Sequence, residues 1–100
     1  MPSPEYRLVL SPQAEQDIEN VLRYTGESWG EGQMQVYSDK LNTALQAIQF
    51  NPWIGHKSAD LPDTHRLDPV GSHVIVYRRQ ERMIGVVRVL HERMSARHHV

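Results

Sequence analysis

The sequence contains no cysteine. Disulfides, thiolate nucleophiles and thiolate-built zinc sites are therefore excluded. No apolar stretch approaches the ~20 residues needed to cross a bilayer. The start, Met1-Pro2-Ser3-Pro4-Glu5, has no apolar run behind a basic segment and does not read as a secretory signal. These absences predict a cytoplasmic protein that does not contact membranes. None of the serines sits in a Gly-x-Ser-x-Gly elbow, which argues against an elbow-type hydrolase. Gly26, Gly30 and Gly32 follow a helical pattern rather than a strand, so they read as helix punctuation and not as a phosphate loop. The histidines, His56, His65, His73, His91, His98 and His99, show no helical i, i+4 pairing and no carboxylate cluster. No metal site and no cofactor are expected.

What is present fits one domain. The chain has 100 residues, 39% of them apolar and set in periodic stretches, so it should fold. A chain of this size buries only roughly 60–70% of its unfolded surface, so a partner is expected to contribute to its stability. The net charge of −1 hides an asymmetry. Residues 1–64 carry four basic and nine acidic side chains, a balance of −5; residues 65–100 carry seven and three, a balance of +4. All seven basic residues of the second part are arginines: Arg66, Arg78, Arg79, Arg82, Arg88, Arg93 and Arg97. A basic end on an acidic body suits an acidic partner or nucleic acid, or else a sheet edge with scattered, solvated charge.

Periodicity gives the elements. Tyr6, Leu8 and Leu10 alternate on one side of a short strand. Ser11-Pro12 is a helix start, with Ser11 to cap the first amides and Pro12 where no amide donor is needed. Ala14, Ile18, Val21, Leu22, Thr25 and Trp29 then mark one helical face, which ends at Gly26 or Gly30. A second helix is predicted from about Glu31 to Gln49. Its positions Met34, Tyr37, Leu41, Ala44 and Ile48 form a narrow seam suited to packing on a neighbouring helix. Asn51-Pro52 stops it, and residues 52–63 are irregular, with Trp53 and Ile54 expected to tuck against the body. The period then changes to two: His65-Arg66-Leu67, His73 to Arg78 and Met83 to Leu90 read as strands, separated by Gly71-Ser72 and by a hairpin loop over 79–82. The predicted fold class is α+β in two layers, of order β-α-α-β-β-β: strand plus antiparallel helical hairpin over 1–51, antiparallel meander over 64–91, basic tail over 92–100.

Metal-free RNA cleavage would need a base, an acid and cations for phosphate. Arg88, His91, Arg93 and the tail histidines are of the right types; the alternative is that His91 merely ends a strand and the arginines are solvated. Arg88 lies in an apolar strand. It needs a partner if it shares the side of Ile84, Val86 and Leu90, and is exposed if Val87 and Val89 face inward.

Four segments carry a resemblance. Val86-Val87-Arg88-Val89-Leu90-His91-Glu92-Arg93-Met94, with the basic residues after it, resembles the C-terminal signature of ParE-type toxins of the ParE/RelE superfamily. Arg66 followed by Gly71-Ser72-His73-Val74-Ile75-Val76-Tyr77 is similar to an internal strand of that family, Leu10-Ser11-Pro12-Gln13-Ala14-Glu15-Gln16-Asp17-Ile18 to its opening, and Asn51-Pro52 with Gly55 to the loop after its second helix. The resemblance covers nearly the whole chain. It implies the toxin half of a type II toxin–antitoxin pair, neutralised by a ParD-like antitoxin in a hetero-oligomer and directed at DNA gyrase. The RelE branch implies instead a ribosome-dependent mRNA endoribonuclease. Nuclease relatives use lysines and a late tyrosine. Here residues 65–67 offer no lysine, His99 stands where a tyrosine is expected, and only Arg93 fits, which favours a non-enzymatic inhibitor. Ser95 departs from the acidic residue frequent at its position.

On this reading the target-binding residues are Arg88, His91, Arg93, Met94 and Arg97. The antitoxin, an acidic amphipathic peptide crossing the helical hairpin towards the sheet, meets Trp29, Tyr37, Arg66, Tyr77, Arg78 and Arg79. Were the chain an enzyme, Arg93, His91 and His99 would be the catalytic set.

Overall fold

A computed structural model describes residues 5–94 and 96–100, so the Ser95 departure lies outside the described residues. The elements are β1 (Arg7–Leu10), α1 (Pro12–Trp29), α2 (Glu31–Phe50), β2 (His65–Val70), β3 (His73–Gln80), β4 (Met83–His91) and α3 (Ala96–His99). The expected element order holds, with one short helix added in the tail. Among the described residues no helix is long and apolar enough to cross a membrane.

Local chemistry fixes the boundaries. Ser11 caps α1 by accepting the Ala14 N–H at 3.0 Å, and Pro12 takes the first turn. The Ser11 hydroxyl donates to the Val87 carbonyl at 2.8 Å, so the same side chain pins the helix start to β4. The helix runs through Gly26 and stops at Gly30, whose φ of 93° is open only to glycine at low strain. Gly30 ends α1 and begins α2, so the two helices fold back as a hairpin.

The sheet has order β1-β4-β3-β2. β2, β3 and β4 form the expected antiparallel meander, and β1 lies parallel to β4 at one edge, the two helices carrying the chain from β1 to β2 at the other edge. Pro69 is tolerated because β2 is an edge strand. The helices cover one face, where Ala14, Leu41, Ile48, Ile75, Tyr77, Ile84, Val86 and Val89 form the core. Complete burial of a side chain such as Ile48 or Ile84 stabilises by roughly 1.5–3 kcal/mol. A second, smaller cluster of Leu61, Val76 and Leu90 lies on the other face, with Leu67, Val87 and Ala96 packed against it.

Three expectations are corrected. Trp53 and Ile54 do not enter the core; they are 54% and 39% exposed, Trp53 lying against Arg66 and Arg79 of the sheet, while Pro52, Gly55 and Leu61 are the buried members of the loop. Trp29 is 73% exposed, because the last turn of α1 runs past the core, which takes nothing from this helix beyond Leu22. The two phases considered for the last strand are both replaced by a bulge. Val76 pairs with Arg88 but Tyr77 pairs with Val86, so Val87 is the extra residue. Ile84 and Val86 face the helices before the bulge, and Val89 does after it.

Candidate functional site: the end of the sheet and its arginines

The bulge sends Arg88 to the side of Val76 and Leu90, at the margin of β4 that β1 leaves unpaired beyond Val86. From there its guanidinium reaches α1. Nε and Nη2 donate to Asp17 Oδ2 and Oδ1 at 2.8 and 3.0 Å, and Nη1 donates to the His99 carbonyl at 3.1 Å. Asp17 Oδ2 also accepts the Val89 N–H at 2.9 Å, which satisfies an amide on the open edge. The bidentate pairing raises the Arg88 pKa. Arg88 therefore joins α1, β4 and α3, and its charge is committed inside the fold. Its expected place in the target-binding set is corrected on that ground: it positions the tail. Asp17 is the residue that sequence reasoning missed. In the sequence it stands only as a member of the opening motif, although an arginine in an apolar strand raises the need for a partner.

The tail arginines are placed differently. Arg93 and Met94 follow β4 and are exposed, as is Arg97 on α3. The backbone N–H of Arg93 donates to His91 Nδ1 at 3.1 Å. Of the candidate catalytic trio, His91 lines a cavity between α1 and the sheet end, Arg93 is exposed, and the His99 carbonyl accepts from Arg88. Among the described residues no group of three or more His, Asp or Glu side chains is placed to hold a metal.

That cavity has a volume of about 520 Å³ and is lined by Tyr24, Trp29, Tyr37, Ser72, His73 and His91, among others. The Tyr37 hydroxyl accepts the Ser72 N–H at 3.1 Å and lies 3.1 Å from the Val70 carbonyl and 2.5 Å from His73 Nδ1. His73 stacks edge-on against both Tyr37 and His91, with centroids 5.5 and 5.3 Å apart. Burial, then the charge of His91, pushes the His73 pKa down, against an upward pull from Glu92. Burial pushes the Tyr37 hydroxyl up.

The remaining members of the antitoxin set separate. Tyr77 is 1% exposed; its hydroxyl donates to the Pro52 carbonyl at 2.7 Å and accepts the Gly55 N–H at 3.0 Å. It holds the loop after α2 and has no surface for a partner, so it leaves the set. Arg66 and Arg79 stack on Trp53, with guanidinium carbons 5.4 and 4.6 Å from the ring centroid. Arg66 also donates to the Gly55 carbonyl at 2.8 Å, and Arg79 Nε is shielded without a hydrogen-bond partner. Arg78 is exposed on the opposite face and pairs across strands with His65. The His65 pKa is lowered by burial and then by Arg78.

The family model of the ParE toxin of type II toxin–antitoxin system, parDE, matches residues 8–96. Toxin ParE1 of Caulobacter vibrioides is 33% identical over 91 residues, 91% of this chain and 94% of its own length. Toxin ParE1 of Mycobacterium tuberculosis is 37% identical over 90 residues, 89% of this chain and 92% of its own length. A solved structure described as the chromosomal ParDE TA system from P. aeruginosa superposes with a TM-score of 0.75 over 89% of this chain and 98% of that one; at 12% identity the likeness is one of fold. The chain belongs to the family of ParE toxins of type II toxin–antitoxin systems.

Proposed function

We propose that this toxin inhibits DNA gyrase by binding it, and that a ParD-like antitoxin neutralises it in a hetero-oligomer. The observation that carries the reading is the segment after β4. Arg93, Met94 and Arg97 are exposed there, on a tail fastened to the body through the contact of Arg88 with the His99 carbonyl. A fixed, cationic and partly apolar projection suits docking on a macromolecule, since apolar contacts supply affinity and charges steer the approach. Family membership supports the antitoxin, and the exposed Trp29 and Arg78 are the members of its expected contact set with the most free surface.

Purified toxin added to gyrase and relaxed plasmid tests this. Supercoiling should fall as toxin is added and recover when antitoxin is included. Full supercoiling at saturating toxin, with mRNA cut in a translating extract, would replace the reading with ribosome-dependent cleavage.

A further inference from the structure

The face of the sheet away from the helices carries a row of four residues that crosses every strand. Val9 pairs with Gly85, Gly85 with Arg78, and Arg78 with His65. Tyr6, Leu8 and Leu10 pack towards the helices, as do Ile84, Val86 and Tyr77, so strand alternation turns Val9, Gly85 and Arg78 the other way. The second cluster of Leu61, Val76 and Leu90 fills the adjoining part of this face, but it stops short of the row. At Gly85 the row has no side chain. A notch of about 410 Å³ opens there, with Val9 and Met83 on one side, Arg78 and His65 on the other, and Val100 among its lining.

The notch combines features that are seldom left unused. Val9 and Met83 are large apolar side chains held 39% and 40% exposed beside it. No lining residue has an acidic side chain. The neighbouring depression adds Arg7 and Arg82, with Glu81 its one carboxylate. A Cβ at Gly85 would meet nothing nearer than Arg78 Cγ and Nε at 3.9 Å, an ordinary contact. Packing within the chain therefore does not require glycine here, and a branched residue would suit a strand better.

The geometry points to this notch as the seat of an acidic, apolar peptide segment of a partner protein, its aliphatic side chain filling the space over Gly85 and its carboxylate paired with Arg78. The apolar walls favour a side chain, and the excess of cations at the rim, Arg78, Arg7 and Arg82 against the one carboxylate of Glu81, favours an anion beside it. A nucleic acid would satisfy the cations but leave Val9 and Met83 without an apolar contact. The proposal rests on the reading that a partner polypeptide neutralises the toxin, and it adds where an acidic anchor of that partner enters.

The test is an NMR titration of ¹⁵N-labelled toxin, made by cell-free synthesis, with the capped peptide acetyl-Glu-Asp-Leu-Asp-Glu-amide. The expected result is saturable shifts at the Val9, Gly85 and Arg78 amides. Gly85→Val fills the notch and Arg78→Gln removes the cation; each should weaken binding by about tenfold or more. Replacing Leu by Ser in the peptide should do the same, and Lys57→Ala, which removes a charge elsewhere, should change affinity less than about twofold. Should Gly85→Val disturb the fold, seen as lost dispersion across the spectrum, Arg78→Gln and the Ser peptide decide the outcome. Shifts absent from the row, or an oligothymidylate that displaces the peptide and moves the same amides at lower concentration, would overturn the proposal. Gyrase takes no part in the titration, so unaffected supercoiling would sink the gyrase reading and leave this result standing.

Discussion

Asp17 and Arg88 lie 71 positions apart in the sequence and close a two-pronged ion pair whose side chains are only 13% and 19% exposed. Removing one member of a buried pair leaves the other charge unpaired, which costs about 3–5 kcal/mol in dry interiors. Some solvent reaches this pair, and Asp17 also holds the Val89 amide. Asp17→Ala is therefore expected to lower unfolding free energy by about 2–4 kcal/mol. Arg88→Lys keeps a charge but loses the planar fork, and should be milder. Urea unfolding of Asp17→Ala, Arg88→Ala and the double variant, with Arg88→Lys beside them, checks this. A cycle without coupling would show that the pair contributes nothing.

The Tyr77 hydroxyl gives a second prediction. It serves two buried backbone groups, the Pro52 carbonyl and the Gly55 amide. Tyr77→Phe leaves both without that partner and should cost about 2 kcal/mol. Amide exchange should quicken at Gly55, while β4 stays protected. Gly55→Ala acts on the same contact from the other side, because a Cβ there would sit 2.9 Å from Tyr77 Cε1 and closer still to its hydroxyl. Unchanged exchange at Gly55 in Tyr77→Phe would refute the assigned role.

Much of this was legible in the sequence because it is periodic. Ser11-Pro12 fixes the start of α1, the apolar spacing fixes α2, and the β-branched runs give the meander. The parallel placement of β1 was not legible, since one four-residue strand carries no mark of its neighbour. Nor was the phase of β4, which is apolar on both faces and is set by one bulge at Val87. The fate of individual arginines depended on that phase: Arg88 turned to Asp17, Arg66 and Arg79 to Trp53, and Arg93 and Arg97 to solvent. Tyr77 was misplaced for a related reason. An aromatic residue in an alternating strand reads equally as an exposed contact or as a buried anchor until its partner loop is located.

Glu81 has a φ of 56° in the two-residue loop between β3 and β4. The left-handed region strains a residue with a Cβ by about 1 kcal/mol. Its side chain is exposed, and the contact from Arg79 goes to its backbone carbonyl, which glycine retains. Glu81→Gly is expected to leave the fold intact and raise stability by about 0.5–1 kcal/mol, with the gain partly offset by the freer unfolded chain. A fall in the urea midpoint would contradict this.

His73 predicts a pH dependence. Its pKa in the folded state lies below the ordinary 6.5, chiefly through burial and then through His91. A base with a depressed folded pKa contributes stability that is present above its unfolded pKa and lost as pH falls below it, because the unfolded chain then takes up the proton first. His65 shifts in the same direction. Stability should therefore decline as pH falls below about 6.5, by at most about 1.4 kcal/mol per pH unit for each group. Burial pushes the Asp68 carboxyl up, which acts in the opposite sense nearer its own lower range, so the slope is best read above about pH 5. His73→Gln should flatten the slope, and a slope equal to that of the wild type would remove His73 as its source.

Trp29 separates binding from folding. It is 73% exposed at the mouth of the cavity that holds Tyr37, His73 and His91, and the core takes nothing from its turn of α1. Trp29→Ala should therefore shift stability by less than about 0.5 kcal/mol. A large aromatic held open to solvent beside a cavity is the side-chain type that anchors partners. Its loss should weaken antitoxin binding by about tenfold or more, read by titration calorimetry against the cognate antitoxin. Tyr37→Phe supplies the contrast. Its hydroxyl accepts the Ser72 amide and meets His73, so its removal should lower stability as well as affinity. Equal affinity for Trp29→Ala and wild type would place the antitoxin elsewhere on the toxin.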